Sequence, residues 1–241
     1  MNDLRDFIKT VGEVPMSLVA ARPGYHLPEV IAEIVLEYGI NQNKRVAVYM
    51  DEGRTWFTEV VLREMLGIDG ALVDSVLNPL SIYKKEVECE ERDTIVRGIE
   101  RLQKSEIFVE SFKTYDEDFV DFVLKRESEN SEISKIIIIY RFDFLLRNGV
   151  YSPREILEKL SVLTKKGGHI VFVGRVERAA EEKTRQSFEN IFYYNEMKKY
   201  VERTALIHDR KDDIETSTMT VTTDEGEFEI VYDNEMRKLR W

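Results

Sequence analysis

The sequence predicts an α/β protein, with a mostly parallel sheet, helices on both faces and an antiparallel extension near the carboxyl end. Three observations carry this. Short apolar runs alternate with longer amphipathic ones along most of the chain, the pattern of repeated strand–helix units. KIIIIYRF at 135–142 holds four consecutive isoleucines, as expected of a central strand covered on both faces. Near the end, STMTVTT at 217–223 and EFEIVYD at 227–233 flank the turn signal DEG at 224–226, which reads as a hairpin.

Each element follows from local pattern. LVAA at 18–21 reads as the first strand. Residues 28–38 read as a helix, with Val30, Ile31, Ile34, Val35 and Tyr38 on one side and Pro28 in the first turn, where a missing N–H costs nothing. RVAVYM at 45–50 is a buried strand. The following helix, 54–66, turns Trp56, Phe57, Val60, Val61 and Leu66 inward. A helix at 91–104 uses Ile95, Ile99 and Leu102, and is followed by the strand EIFVE at 106–110 and a helix at 116–126. The polar stretch 127–134 reads as a surface loop. After KIIIIYRF come a helix at 153–165 and the strand HIVFVG at 169–174. IFYY at 191–194 and TALIHD at 204–209 are strand-like. No linker interrupts the series, so residues 1–241 are expected to form one domain, with 1–14 as a lead-in segment.

Composition narrows the class. With 43% apolar and 34% charged residues but only 12 Gly and 5 Pro, the chain suits a soluble helix-rich protein. No apolar run reaches the roughly 18 residues that a membrane span needs. MNDLRDFIKTVGEV has neither the basic nor the apolar region of a signal peptide. The single Cys89 excludes an internal disulfide and a cysteine metal cluster, and a reduced, cytoplasmic setting is expected. Cys89 lies in EVECEE, whose charges disfavour a thiolate nucleophile. A net charge of −11 disfavours duplex nucleic acid, which is bound by neutralising its phosphates.

VAARPGYHLPEV at 19–30 runs from strand through a short loop into a helix, the place where a phosphate loop G-x-x-x-x-G-K-[ST] would lie. The segment LVAARPGYHLPEVIAEIV resembles the corresponding strand, loop and helix of DnaB-type replicative helicases, hexameric members of the RecA-like ATPases, whose loop usually reads A-A-R-P-S-M-G-K-T. Ala20, Ala21, Arg22 and Pro23 match; Gly24 and Tyr25 replace Ser and Met; His26, Leu27 and Pro28 fall on the glycine, lysine and threonine. RVAVYMDEG resembles the second core strand, placing Glu52 on the glutamate that activates water. KIIIIYRFDFLL resembles the Walker B strand, with Tyr140 on its aspartate and Asp143 on its glutamine. GHIVFVGRVERAAEEK and TALIHDRKDD are similar to two further family stretches, placing Arg175 on a glutamine, Arg178 on an arginine, His208 on a lysine and Arg210 on the finger arginine. The resemblance runs over residues 4–233 and has no counterpart of the family's amino-terminal partner-binding domain. It implies a RecA-like three-layer sandwich.

The substitutions bear on chemistry. Charge-assisted hydrogen bonds contribute roughly 1.5–3 kcal/mol each. Leu27 offers no donor, and Pro28 offers neither hydroxyl nor backbone N–H. His26 carries a Cβ where the loop requires glycine's close approach. Tyr140 has no carboxylate for Mg²⁺. The expectation is a non-catalytic domain without nucleotide, metal or other cofactor. It would serve as an interaction or scaffold protein assembling with itself, with a DnaB-type helicase or with a replication factor. Glu52 and Arg210 are the candidate catalytic residues if the chain is instead an ATP- and Mg²⁺-dependent helicase-like ATPase with an aberrant pocket. A third reading reuses the cleft for another ligand, with Tyr25, His26, Glu52, Asp143 and Arg175 lining it. His169 and His208, lacking metal-ligand spacing, read as structural.

Overall fold

The computed structural model describes residues 3–22, 25–50, 53–77, 87–112, 118–129, 132–147, 152–176, 186–234 and 238–240. The described strands are β1 (Met16–Ala21), β2 (Val46–Met50), β3 (Ile107–Ser111), β4 (Ile136–Ile139), β5 (His169–Arg175), β6 (Arg203–Asp212), β7 (Thr216–Thr223), β8 (Gly226–Asp233) and β9 (Lys238–Arg240). They form one sheet in the order β3-β2-β4-β5-β1-β6-β7-β8-β9. The six strands from β3 to β6 are parallel. The pairings from β6 through β9 are antiparallel.

Side-chain alternation explains the layers. Successive residues of a strand point to opposite faces. Ile136 and Ile138 enter one core with Val19, Val48 and Val171, while Ile137 and Ile139 enter the other with Leu18, Tyr49 and Phe172. The first core is closed by α1 (Leu4–Val11), α2 (Leu27–Val35) and α3 (Arg54–Leu66). The second is closed by α6 (Asp118–Glu129), α7 (Phe142–Arg147), α8 (Pro153–Lys165) and α9 (Tyr194–Met197). α4 (Gly70–Leu77) and α5 (Cys89–Lys104) pack beside α3. Along β7 only every second residue is buried, so the extension is covered on one face. Among the described residues no helix is long and apolar enough to cross a membrane.

The lead-in segment contains α1. Asp3 caps it by accepting from the Asp6 amide at 2.9 Å, and Leu4, Phe7, Ile8 and Val11 are buried. Its end is locked to the π segment Leu36–Asn41 that follows α2: the Tyr38 hydroxyl accepts from the Gly12 amide at 2.9 Å and donates to the Lys9 carbonyl at 2.7 Å. A Cβ on residue 12 would collide with the Tyr38 ring, which is why glycine stands there.

Four expectations need correction. The helix expected over 28–38 changes to a π segment, Leu36–Asn41, after Val35. KIIIIYRF is a strand only to Ile139, because Arg141 adopts φ 55° and Phe142 opens α7; Asp143 is therefore helical. IFYY is not a strand. Ile191 forms an isolated bridge to Val176, and Tyr193, at φ 57°, turns the chain into α9. The stretch 127–134 is not a purely surface loop: α6 continues to Glu129, and both Glu127 and Ser134 are buried.

Candidate functional site

The parallel strands end together at one edge, where an open α/β sheet places its crevice. Ala21, the last residue of β1, pairs with Arg175 of β5 on one side and Ile207 of β6 on the other. A cleft of about 400 Å³ opens above these ends. Arg22, Tyr25, His26, Leu27 and Pro28 line it from the β1–α2 connection, Arg175 from β5 and Tyr140 from the end of β4. Arg210 reaches it from β6. A bulge between His208 and Lys211, with Asp209 at φ 52°, interrupts the β6 register there and re-aims the strand. Arg210 Nε donates to Asp212 Oδ1 at 2.6 Å, and Nη2 donates to Ser217 Oγ at 3.4 Å.

The strand-to-helix connection is built as a packed junction. His26 precedes α2 in the left-handed region, φ 50° and ψ 31°. Its ring lies on Tyr232 of β8, with centroids 3.5 Å apart and planes inclined by 18°. Nδ1 faces Glu29 Oε1 at 3.7 Å, while Nε2 is buried with no hydrogen-bond partner among the described residues. Arg63 of α3 donates to the same Glu29 oxygen at 2.6 Å. Burial pushes the Glu29 carboxyl up, but the facing His26 and Arg63 outweigh it and hold the group below its ordinary value. Leu27 is buried in the first core, and Pro28 occupies the first turn of α2. Tyr140 is buried, with its amide donating to the Tyr49 carbonyl at 2.8 Å.

The sequence matches no protein-family model and no curated protein. Among solved structures, an ATPase domain aligns with a TM-score of 0.71 at 10% identity, over 93% of this chain and 84% of that one. A DnaB-like replicative helicase, solved in a study of its interactions with primase, aligns with a TM-score of 0.68 at 10% identity. The match covers 93% of this chain and 58% of the helicase chain. The chain has the fold of a DnaB-like ATPase domain.

In this DnaB-like fold most of the described sequence candidates gather in one place. Arg22, Tyr25, His26, Leu27, Pro28, Tyr140, Arg175 and Arg210 share the cleft. Asp143 does not: it is buried in α7. Pro23, Gly24, Glu52 and Arg178 lie outside the described residues. The sequence reading missed Tyr232, Glu29 and Arg63, and turned Trp56 inward. Trp56 is 37% exposed and forms a cleft wall. Only Glu29, an acid in the first turn of a helix beside a candidate loop, carried a local signal. Among the described residues no three of His, Cys, Asp and Glu sit together as a metal site. His169 bonds the Val14 carbonyl and Lys135, and His208 bonds Thr222, so both ties are structural. A second groove of about 460 Å³ lies along β3, between Phe57, Leu102 and Phe108, and holds none of the sequence candidates.

Proposed function

We propose that this chain is a non-catalytic DnaB-like domain that works by assembly: with a second copy of itself, with a DnaB-type helicase or with a replication factor. The observation that carries the reading is the β1–α2 junction. At the two positions where the resemblance expects a lysine and a threonine, Leu27 packs into the core and Pro28 starts the helix. Neither side chain supplies a donor to a phosphate or a ligand to Mg²⁺. His26, at the glycine position, is held on Tyr232 and beside Glu29. Arg22, Arg175 and Arg210 remain in the cleft, but no described carboxylate beside them is free to order a divalent ion. Glu29 is committed to Arg63, and Asp212 to Arg210. Each missing charge-assisted bond removes roughly 1.5–3 kcal/mol, so loss of two weakens a Mg²⁺-triphosphate by about two to four orders of magnitude.

Calorimetric titration with ATP and Mg²⁺ tests this. The expected outcome is no binding in the micromolar range, alongside a solution mass above that of one chain or co-migration with a DnaB-type helicase. Micromolar binding, with single-stranded-DNA-stimulated hydrolysis abolished by Glu52→Gln, would establish the helicase-like ATPase instead.

A further inference from the structure

The two edges of the sheet are built differently. β9 closes one with three residues, two of them the cations Lys238 and Arg240, a short charged strand of the kind that protects an exposed edge. β3 closes the other with IFVES, five residues without proline, lysine or bulge. Val46 pairs with Ile107 and donates to the Glu106 carbonyl, and Phe112 donates to the Met50 carbonyl. Alternation along a parallel ladder therefore turns the backbone groups of Phe108 and Glu110 toward β2 and those of Ile107 and Val109 outward. Among the described residues no strand lies beyond them. Ile107 and Val109 also line the groove of about 460 Å³ on the first-core side of this edge.

The opposite face of β3 carries a cation without an acid. The Arg45 guanidinium lies 4.4 Å from the centroid of the Phe108 ring, and its Nε is buried with no hydrogen-bond partner. Among the described residues no carboxylate is in ion-pair range of it, although the chain carries a net charge of −11. Phe108 is 40% exposed. Glu110, two residues on, shares that face, where its Oε1 accepts from Arg126 at 3.2 Å in an exposed pair.

We infer that β3 pairs antiparallel with β3 of a second copy of this chain, about a two-fold axis at Val109. Full overlap of the five-residue strand sets Val109 opposite the partner's Val109, where each N–H reaches the other's carbonyl, and Ile107 opposite the partner's Ser111. Phe108 then faces the partner's Glu110 at the close spacing, about 4.5 Å between Cα atoms, of a non-hydrogen-bonded pair. That delivers a carboxylate to the guanidinium lying on Phe108, and the two-fold axis repeats the contact. An edge like β9 would cover only three residues and bring cations to Arg45 instead. The inference names the partner and the surface for the assembly role proposed above and rests on that reading.

Cysteine cross-linking of the full chain in a Cys89→Ser background tests the register. Val109→Cys should form an interchain disulfide on mild oxidation, because hydrogen-bonded antiparallel neighbours have Cα atoms about 5.5 Å apart, within disulfide reach. Ile107→Cys should not, since the four-residue offset sets the two copies roughly 14 Å apart. The parent should sediment at twice the mass of one chain. Arg45→Gln should weaken dimerisation about 100-fold, roughly tenfold for each of the two contacts, with an unchanged circular-dichroism spectrum. A parent that stays monomeric to about 0.1 mM overturns the inference. So does a Val109→Cys chain that fails to cross-link, an Ile107→Cys chain that cross-links equally well, or undiminished dimerisation of Arg45→Gln. A parent that assembles without the Val109 cross-link rejects this interface and leaves the assembly reading standing, whereas micromolar binding of ATP with Mg²⁺ counts against that reading and not against the interface.

Discussion

His26 lies flat on Tyr232, with ring centroids 3.5 Å apart, so the first strand–helix junction is clasped by the carboxyl-terminal hairpin. The left-handed backbone of His26 costs roughly 1–2 kcal/mol for a residue with a Cβ. The stack offsets about 0.5–1.5 kcal/mol of that. A double-mutant cycle with His26→Ala and Tyr232→Leu, read by chemical denaturation, should return a coupling of about 0.5–1.5 kcal/mol. A coupling of zero would show that the rings are neighbours without mutual stabilisation.

Arg63 and Glu29 form the second clasp. Their side chains are only 8% and 10% exposed, and they meet at 2.6 Å. Removing one partner of such a pair strands a buried charge, which costs about 3–5 kcal/mol. Arg63→Met should lower stability by that amount. Adding Glu29→Gln should recover a large part of it, since the stranded charge is then gone. If the double variant is as unstable as the single, packing and not charge holds α2 to α3.

The sheet was legible because its strands are short, apolar and bounded. IIII and HIVFVG needed only an unbroken apolar run of strand length, and the hairpin at 224–226 needed only its turn residues. Two of the misreadings occur where a single backbone angle decides. Arg141 and Tyr193 both adopt positive φ, so runs of β-forming residues stop being strands at those points. In the cleft, the loop and strand-end residues were legible through the family resemblance, and the sheet topology brings them together. Trp56 and Tyr232 were not, since each meets the loop only through tertiary packing.

Glu127 shows how a polar stretch conceals a buried network. Its Oε1 accepts from the Tyr49 hydroxyl at 2.7 Å and its Oε2 from the Ser134 amide at 2.9 Å. Burial, and next the Glu127 charge, push the Tyr49 hydroxyl far above its ordinary value, so it stays a donor. Tyr49→Phe leaves a buried carboxylate oxygen without its donor and should cost about 1–3 kcal/mol in thermal or denaturant unfolding. A change below about 0.5 kcal/mol would mean that water replaces the hydroxyl.

Glu64 sets the expected pH dependence of stability. Its side chain is 1% exposed; Oε2 accepts from the Leu239 amide of β9 at 3.1 Å, and Oε1 lies 3.8 Å from Arg63 Nε. Burial raises its carboxyl to about 8. The Leu239 amide and Arg63 oppose that rise, while Glu33 and Glu29 add to it. Between the unfolded value of 4.5 and about 8 the folded chain keeps a proton that the unfolded chain has released. Stability from this group is therefore fully present below 4.5, declines as pH rises through that window and is lost above about 8. The decline is on the order of a few kcal/mol. Glu64→Gln mimics the protonated form, so it should match the parent near the acid end of the window and exceed it near the alkaline end. Because the lost proton charges the group that holds β9, amide exchange at Leu239 should accelerate with pH beyond the intrinsic rate in the parent and not in the variant. Parallel stability profiles for the two proteins would place the titration elsewhere and leave β9 docked by its pairing with β8 and the burial of Leu239.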